Sequence, residues 1–260
     1  MFAKKQLGQH FLTAPSIAKK IADSANLGKD TTVLEIGPGK GILTRELLQQ
    51  AGNVIAIEKD ADMLPLLREE YKEALADGRL VLVEGDALST SLAQYGLKNL
   101  SYALVANIPY YITGELLRHF LSGDTQPHTL VFLMQKEVAE RIARSEKGSL
   151  LSISVAVYGT ATYGGTVKAG SFSPKPNVDS AIVIVHDISK KFFDTVSEDS
   201  FFELLKTGFS QKRKQLVNNL SSYGNRERLE RALYRSGIAL KARPEELTPE
   251  NWKKLYRELR

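Results

Sequence analysis

Up to about Val185 the chain alternates short β-branched and aliphatic runs with longer stretches whose apolar positions recur at helical spacing. The runs Thr32–Ile36, Asn53–Ile57, Leu80–Val83, Tyr102–Ala106 and Thr129–Met134 are apolar almost throughout, the pattern of strands buried on both faces. Strands and helices in regular succession predict a parallel sheet with helices on both sides, the doubly wound α/β plan, whose ligands sit at the carboxyl ends of the strands.

After Met134 the pattern changes. A charged helix is expected from Lys136 to Arg144, then an apolar stretch from Leu150 to Tyr158. Thr166–Lys168 and Ser180–His186 read as strands able to close the sheet with an antiparallel edge. From Glu198 onward the apolar spacing is helical, with Asn225 and Thr248 as caps and Gly224 and Gly237 as stops. The polar segment 187–197 is the expected connection. The reading is therefore residues 1–187 as a Rossmann-like catalytic domain and 188–260 as a small all-helical domain.

Charge sharpens this division. Residues 1–187 carry 19 Lys/Arg against 20 Asp/Glu, whereas 188–260 carry 16 against 10. The whole positive excess of the chain lies in its helical part, which points to a polyanion-binding module beside a near-neutral body. There is no cysteine and the four histidines are scattered, so no metal site is expected. The first residues lack the apolar run of a secretion signal, and no apolar stretch approaches bilayer-spanning length, so a cytoplasmic protein with no membrane partner is expected.

The first strand runs into Glu35-Ile36-Gly37-Pro38-Gly39-Lys40-Gly41, and a helical pattern follows. Glycines at Gly37 and Gly39 let the backbone turn tightly and approach a ligand near helix N–H groups. The G-x-G-x-G spacing departs from the dinucleotide G-x-G-x-x-G and suits an adenosyl ligand without a pyrophosphate. Glu58 ends the second strand, where an acid accepts hydrogen bonds from ribose hydroxyls. Glu84-Gly85-Asp86-Ala87 ends the third and offers Asp86, beside Ala87, to an adenine amine.

The fourth strand delivers Asn107-Ile108-Pro109-Tyr110, the most specific signal in the chain. An exocyclic adenine amine is a poor nucleophile because its lone pair is delocalised into the ring. Acceptors at the Asn107 side-chain oxygen and the Ile108 carbonyl would draw that nitrogen toward a tetrahedral arrangement and free the pair for attack. Pro109 fixes φ, and Tyr110 offers a face for the base. The chemistry expected is direct displacement at the methyl of S-adenosylmethionine, with much of the rate from positioning. A stacked adenine cannot enter such a pocket, so the target must be extruded or unpaired. Phe172, in a loop stiffened by Pro174 and Pro176, is the expected second aromatic face.

With these residues in view the chain resembles the ribosomal RNA adenine dimethyltransferases. The resemblance runs almost end to end: Leu7-Gly8-Gln9-His10-Phe11-Leu12, the glycine loop, Glu58, Gly85-Asp86-Ala87, Asn107 to Tyr110, Phe172 to Val178, and Phe209-Ser210-Gln211-Lys212-Arg213-Lys214. It implies cofactor contacts from His10 and Leu12, His10 standing where members often carry Asn. It also implies transfer of four methyl groups to two adjacent adenines near the 3′ end of 16S ribosomal RNA in an assembling small subunit. A monomer is expected. Phe209 to Lys214 is expected to open a basic helix through Leu216 and Leu220, with Lys212, Arg213 and Lys214 binding RNA. The rival readings are a resistance methylase acting on large-subunit RNA, an assembly factor whose binding outweighs its chemistry, and a small-molecule methyltransferase. A dehydrogenase is disfavoured by the glycine spacing.

Overall fold

A computed structural model describes residues 9–260. In chain order the strands are β1 (Phe11–Leu12), β2 (Thr32–Ile36), β3 (Asn53–Glu58), β4 (Leu80–Glu84), β5 (Tyr102–Asn107), β6 (Thr129–Gln135), β7 (Thr160–Val167), β8 (Phe172–Ser173) and β9 (Ser180–His186). The helices of the sheet region are α1 (Pro15–Asp23), α2 (Ile42–Gln50), α3 (Leu64–Glu70), α4 (Lys72–Ala76), α5 (Thr113–Ser122), α6 (Lys136–Ala143) and α7 (Leu150–Ala156). The chain ends with α8 (Glu198–Gly208), α9 (Leu216–Asn219), α10 (Arg226–Arg235) and α11 (Pro249–Leu259).

Seven strands form one sheet in the order β4-β3-β2-β5-β6-β9-β7. The run from β4 to β6 is parallel, and β9 and β7 join antiparallel. Alternate side chains of each strand leave by opposite faces. Val33, Val54, Val105 and Val131 pack with Ile21 of α1, Leu47 of α2 and Leu67 of α3. Leu34, Ile57, Leu104 and Phe132 pack with Phe120 of α5, Ile142 of α6 and Ile153 of α7. Burial on both faces is why these strands read as continuous apolar runs. The second core continues unbroken into the C-terminal helices through Phe201, Leu216, Leu233 and Trp252.

The five parallel strands lie where the sequence pattern puts them. β7 differs: it runs from Thr160 to Val167 rather than from Thr166 to Lys168, because Thr160–Tyr163 also pair with β9 ahead of a bulge between Tyr163 and Gly165 that breaks the register and hides the longer strand. The paired glycines also dilute the strand signal. The pairing of β1 with β8, Leu12 opposite Phe172, had no sequence signature at two residues per strand. Asn225 and Thr248 cap their helices by accepting from the backbone N–H groups of Arg228 and Asn251. Gly237, at φ +71, follows the end of α10.

The basic helix expected from Phe209 is not formed. α8 ends at Gly208, Phe209 is its cap, and 210–214 is a turn before the four-residue α9. The Asn219 side-chain amide donates to the carbonyls of Gly208 and Gln211, holding the turn against the open end of α8. Phe209 meanwhile stacks on Trp252 at 5.6 Å. Packing against α11 thus overrides a helical spacing that continues in the sequence.

Candidate active site

A cavity of about 350 Å³ opens at the carboxyl ends of β2 to β5. It sits where the strand order reverses between β2 and β5, the crevice in which open α/β sheets receive ligands. The glycine loop forms one wall. Gly37, Gly39 and Gly41 have φ of +66, +56 and +82. A Cβ on Gly41 would stand 2.6 Å from the Tyr71 ring, and one on Gly39 would stand 3.0 Å from Phe11, so a larger residue would displace the loop at either position.

Glu58 ends β3 and is 5% exposed. Its Oε2 accepts from the Gly39 N–H at 2.9 Å and its Oε1 from the Asp60 N–H at 2.8 Å. Burial raises its pKa, and the two N–H bonds oppose that rise. An ionised carboxylate has about four acceptor sites, so Glu58 both fastens the glycine loop and keeps capacity toward the cavity. Asp86 accepts from Lys59 Nζ at 2.7 Å and from the Leu88 N–H at 3.0 Å. The Lys59 hydrogen bond, followed by that of Leu88, lowers its pKa. Ala87 is buried beside it and also lines the cavity. The sequence reading missed Lys59, which carries no motif of its own.

Glu35 was read only as part of the glycine motif, yet it is the most unusual group at the site. It is 1% exposed, its Oε2 accepts from the Thr44 hydroxyl at 2.7 Å, and its Oε1 has no partner. Burial pushes its pKa up to about 8; the Thr44 bond opposes this and the Glu58 charge adds to it. It borders a small cleft shared with Gly37, Gly39, Leu12 and Asn107. An acid flanked by apolar neighbours within a strand was the available sequence signal.

At the end of β5 the Asn107 Nδ2 donates to the His10 carbonyl at 3.2 Å. A carbonyl only accepts, so this bond fixes the amide orientation and leaves Oδ1 as the acceptor for a ligand. Ile108 is buried, its N–H donating to the Leu133 carbonyl at 3.3 Å. Pro109 has φ −59. The Tyr110 hydroxyl is bonded to Ser180 Oγ at 2.8 Å, and burial raises its pKa. The His10 ring lies against Tyr110, centroids 5.7 Å apart and 27° between planes, with its Nδ1 donating to the Pro174 carbonyl at 2.8 Å. One local network therefore joins the N-terminal segment, β5 and the proline loop.

Asn107, Ile108, Pro109, Tyr110, His10, Gly37, Gly39, Glu58, Asp86 and Ala87 all line the one cavity. Leu12 borders the adjoining cleft. Leu7 and Gly8 lie outside the described residues. Phe172 corrects an expectation: it is 5% exposed, paired through β8 with Leu12 and packed into the core, so it offers no free face to a base. Its apolar ring is better satisfied beneath β1 than in a solvated loop. Lys212, Arg213 and Lys214 are exposed on the turn after α8, with no ion pair among the described residues.

A doubly wound sheet with a glycine loop after its first parallel strand and Asn-Ile-Pro-Tyr at the end of the fourth defines a Rossmann-like methyltransferase. The chain belongs to the ribosomal RNA adenine dimethylase family, which it matches over residues 2–260. It is 41% identical over 256 residues to a ribosomal RNA small subunit methyltransferase A of Dehalococcoides mccartyi, covering 97% of this chain and 87% of the relative. A protein of the same name from Clostridium botulinum is 38% identical, covering 96% and 92%. Among solved structures, a dimethyladenosine transferase from Plasmodium falciparum superposes with TM-score 0.79 at 29% identity, over 95% of this chain and 96% of that one. The 23S rRNA methyltransferase ErmE gives 0.77 at 27%, over 96% and 99%. Membership of this family implies S-adenosylmethionine as methyl donor. No helix among the described residues is long and apolar enough to cross a membrane.

Proposed function

We propose that the protein dimethylates the exocyclic amines of two adjacent adenosines near the 3′ end of 16S ribosomal RNA, acting as a cytoplasmic monomer on the immature small subunit. The observation that carries this reading is the Asn107 amide, which is oriented by donation of an N–H to the His10 carbonyl so that its oxygen is left for an amine. The names of the bacterial relatives support the small subunit as the target.

The residues fit adenosylmethionine. The unpartnered, buried Oε1 of Glu35 suits the ammonium of an amino acid moiety beside Gly37 and Gly39. Glu58 suits the ribose, and Asp86 with Ala87 suits the base. His10 and Leu12 border that volume from the N-terminal segment. A cavity of about 350 Å³ is within the usual range for such ligands. When bound, adenosylmethionine supplies an electrophilic methyl carbon on a sulfonium centre.

The chain's own residues prepare the acceptor nitrogen. Asn107 Oδ1 and the Ile108 carbonyl accept its two N–H groups, opposing delocalisation of its lone pair. Pro109 holds that carbonyl in place. His10 covers one face of Tyr110, so the other face receives the base. Phe172 acts through β1, as a positioning residue under Leu12. The methylated nitrogen is acidic enough to lose its proton to water, so an amide suffices at position 107. Residues 1–187 perform this chemistry, and 188–260, through Lys212, Arg213 and Lys214, hold RNA by its phosphates.

Mass-spectrometric mapping of modified adenosines tests the reading, after incubation with adenosylmethionine and unmethylated small or large subunits. Dimethylation of adjacent adenosines in small-subunit RNA is expected. Modification confined to large-subunit RNA would assign the protein to the chemistry of ErmE instead.

A further inference from the structure

Tyr111 is a large aromatic residue left 63% exposed at the mouth of the active-site cavity. It follows Tyr110 in a short 3-10 turn, Tyr110–Ile112, that joins β5 to α5. The two side chains have opposite fates. Tyr110 turns inward to Ser180 and His10, whereas Tyr111 faces solvent. The turn itself is anchored: the Ile112 N–H donates to the Pro109 carbonyl at 3.3 Å and the Thr113 hydroxyl to the Tyr110 carbonyl at 3.1 Å. The backbone that carries Tyr111 is therefore held while its ring stays uncovered.

An exposed aromatic ring has little to gain from water and much from a flat partner. A base drawn into the cavity leaves its neighbour in the strand just outside, within one nucleotide of the mouth. We propose that Tyr111 is the stacking platform for the nucleobase adjacent to the target. On a substrate with two neighbouring adenines, that base is the second adenine, held near the entrance while the first reacts. This inference rests on the RNA-methylating reading above and adds a subsite to it. Lys59 and Glu115 share the cavity lining with Tyr111, and Lys59 is already engaged by Asp86. Glu115 is an exposed anion that repels an RNA phosphate, so the ring rather than a free cation forms the platform.

The test is a cycle that removes either partner of the stack. Tyr111→Ala, Tyr111→Phe and the unaltered protein are assayed on immature small subunits whose RNA carries either an intact base or an abasic ribose on each side of the target adenosine. Stacking of a base on an aromatic side chain, lost on alanine substitution, corresponds to roughly tenfold in affinity. Tyr111→Ala should raise KM for intact RNA by about that factor with kcat and adenosylmethionine affinity unchanged, and Tyr111→Phe should restore it. On RNA lacking the neighbouring base, the difference between Tyr111→Ala and the unaltered protein should vanish. An equal KM for both proteins on intact RNA overturns the proposal, as does a penalty that persists on abasic RNA. Weakened adenosylmethionine binding in Tyr111→Ala would overturn it too, by assigning the ring to the cofactor. Failure of the unaltered protein to methylate any of these RNAs would sink the parent reading, an outcome separate from those.

Discussion

The two regions that carry the proposed activity are built in opposite ways. At the strand ends, almost every polar side chain is fastened: Glu58 to two N–H groups, Asp86 to Lys59 and Leu88, Asn107 to His10, Tyr110 to Ser180. On the turn after α8, Lys212, Arg213 and Lys214 are solvated and outside any ion pair among the described residues. Positioning a reacting nitrogen requires groups held before the substrate arrives. Attraction to a phosphate chain requires only net charge, which acts over the Debye length and tolerates mobility. The arginines of α10 mark the contrast, since three of the four, Arg226, Arg231 and Arg235, are each paired with a glutamate, and Arg228 donates to the Leu259 carbonyl.

The sharpest way to break this comparison is at Asn107. Asn107→Ala should lower kcat by roughly 10²–10³, the usual effect of deleting a preorganised polar group, while RNA affinity stays within a few-fold. A tritiated-methyl assay on unmethylated small subunits measures it, and near-normal turnover would remove Asn107 from the mechanism. Charge reversal at Lys212, Arg213 and Lys214 should do the converse. It should weaken RNA binding by about tenfold or more and flatten the dependence of log affinity on log salt by about two to three, leaving adenosylmethionine affinity intact. Equal loss of both affinities would mean that the turn is structural.

A smaller effect tests the fastened region by pH. Glu35 has a pKa of about 8 in the fold against an ordinary 4.5. The stability associated with its protonated form is present below 4.5 and lost as pH rises through 8. A cationic ligand favours the ionised form, so adenosylmethionine affinity should rise between pH 6 and 7.5, by at most about tenfold per pH unit. Calorimetry in buffers of different ionisation enthalpy should show proton release on binding, and Glu35→Gln should abolish it. Persistence of the same proton release in Glu35→Gln would move the effect to another group. The smallest effect belongs to Arg231, paired with Glu227 on the exposed face of α10. Arg231→Ala should change thermal stability by less than about 0.5 kcal/mol and RNA affinity less than Arg213→Ala does. A larger loss than at Arg213 would show that paired arginines also carry the docking.

Sequence reading succeeded wherever a local pattern had a single physical solution. Thr32–Ile36 and Tyr102–Ala106 have no place but a sheet buried on both faces, and the strand-end motifs converge on the crevice that such a sheet dictates. It failed where contacts distant along the chain decide. Phe209 to Lys214 has helical spacing, but Trp252 and Asn219 bind the turn instead. Phe172 sits in a polar loop, but Leu12, far away in sequence, draws it into the core. Lys59 and the open oxygen of Glu35 lack a motif because their significance lies in what surrounds them.

The amino-acid order alone determined the sheet, the order of its strand-end motifs, the identity of the residues that line the crevice and the segregation of positive charge. These follow from periodicity, backbone freedom and composition, which are local properties. Only the tertiary structure decided which acceptors are already engaged, which aromatic ring is buried and which exposed, and where the basic cluster is displayed. Those outcomes depend on desolvation and on partners supplied by remote parts of the chain, and no local pattern encodes them.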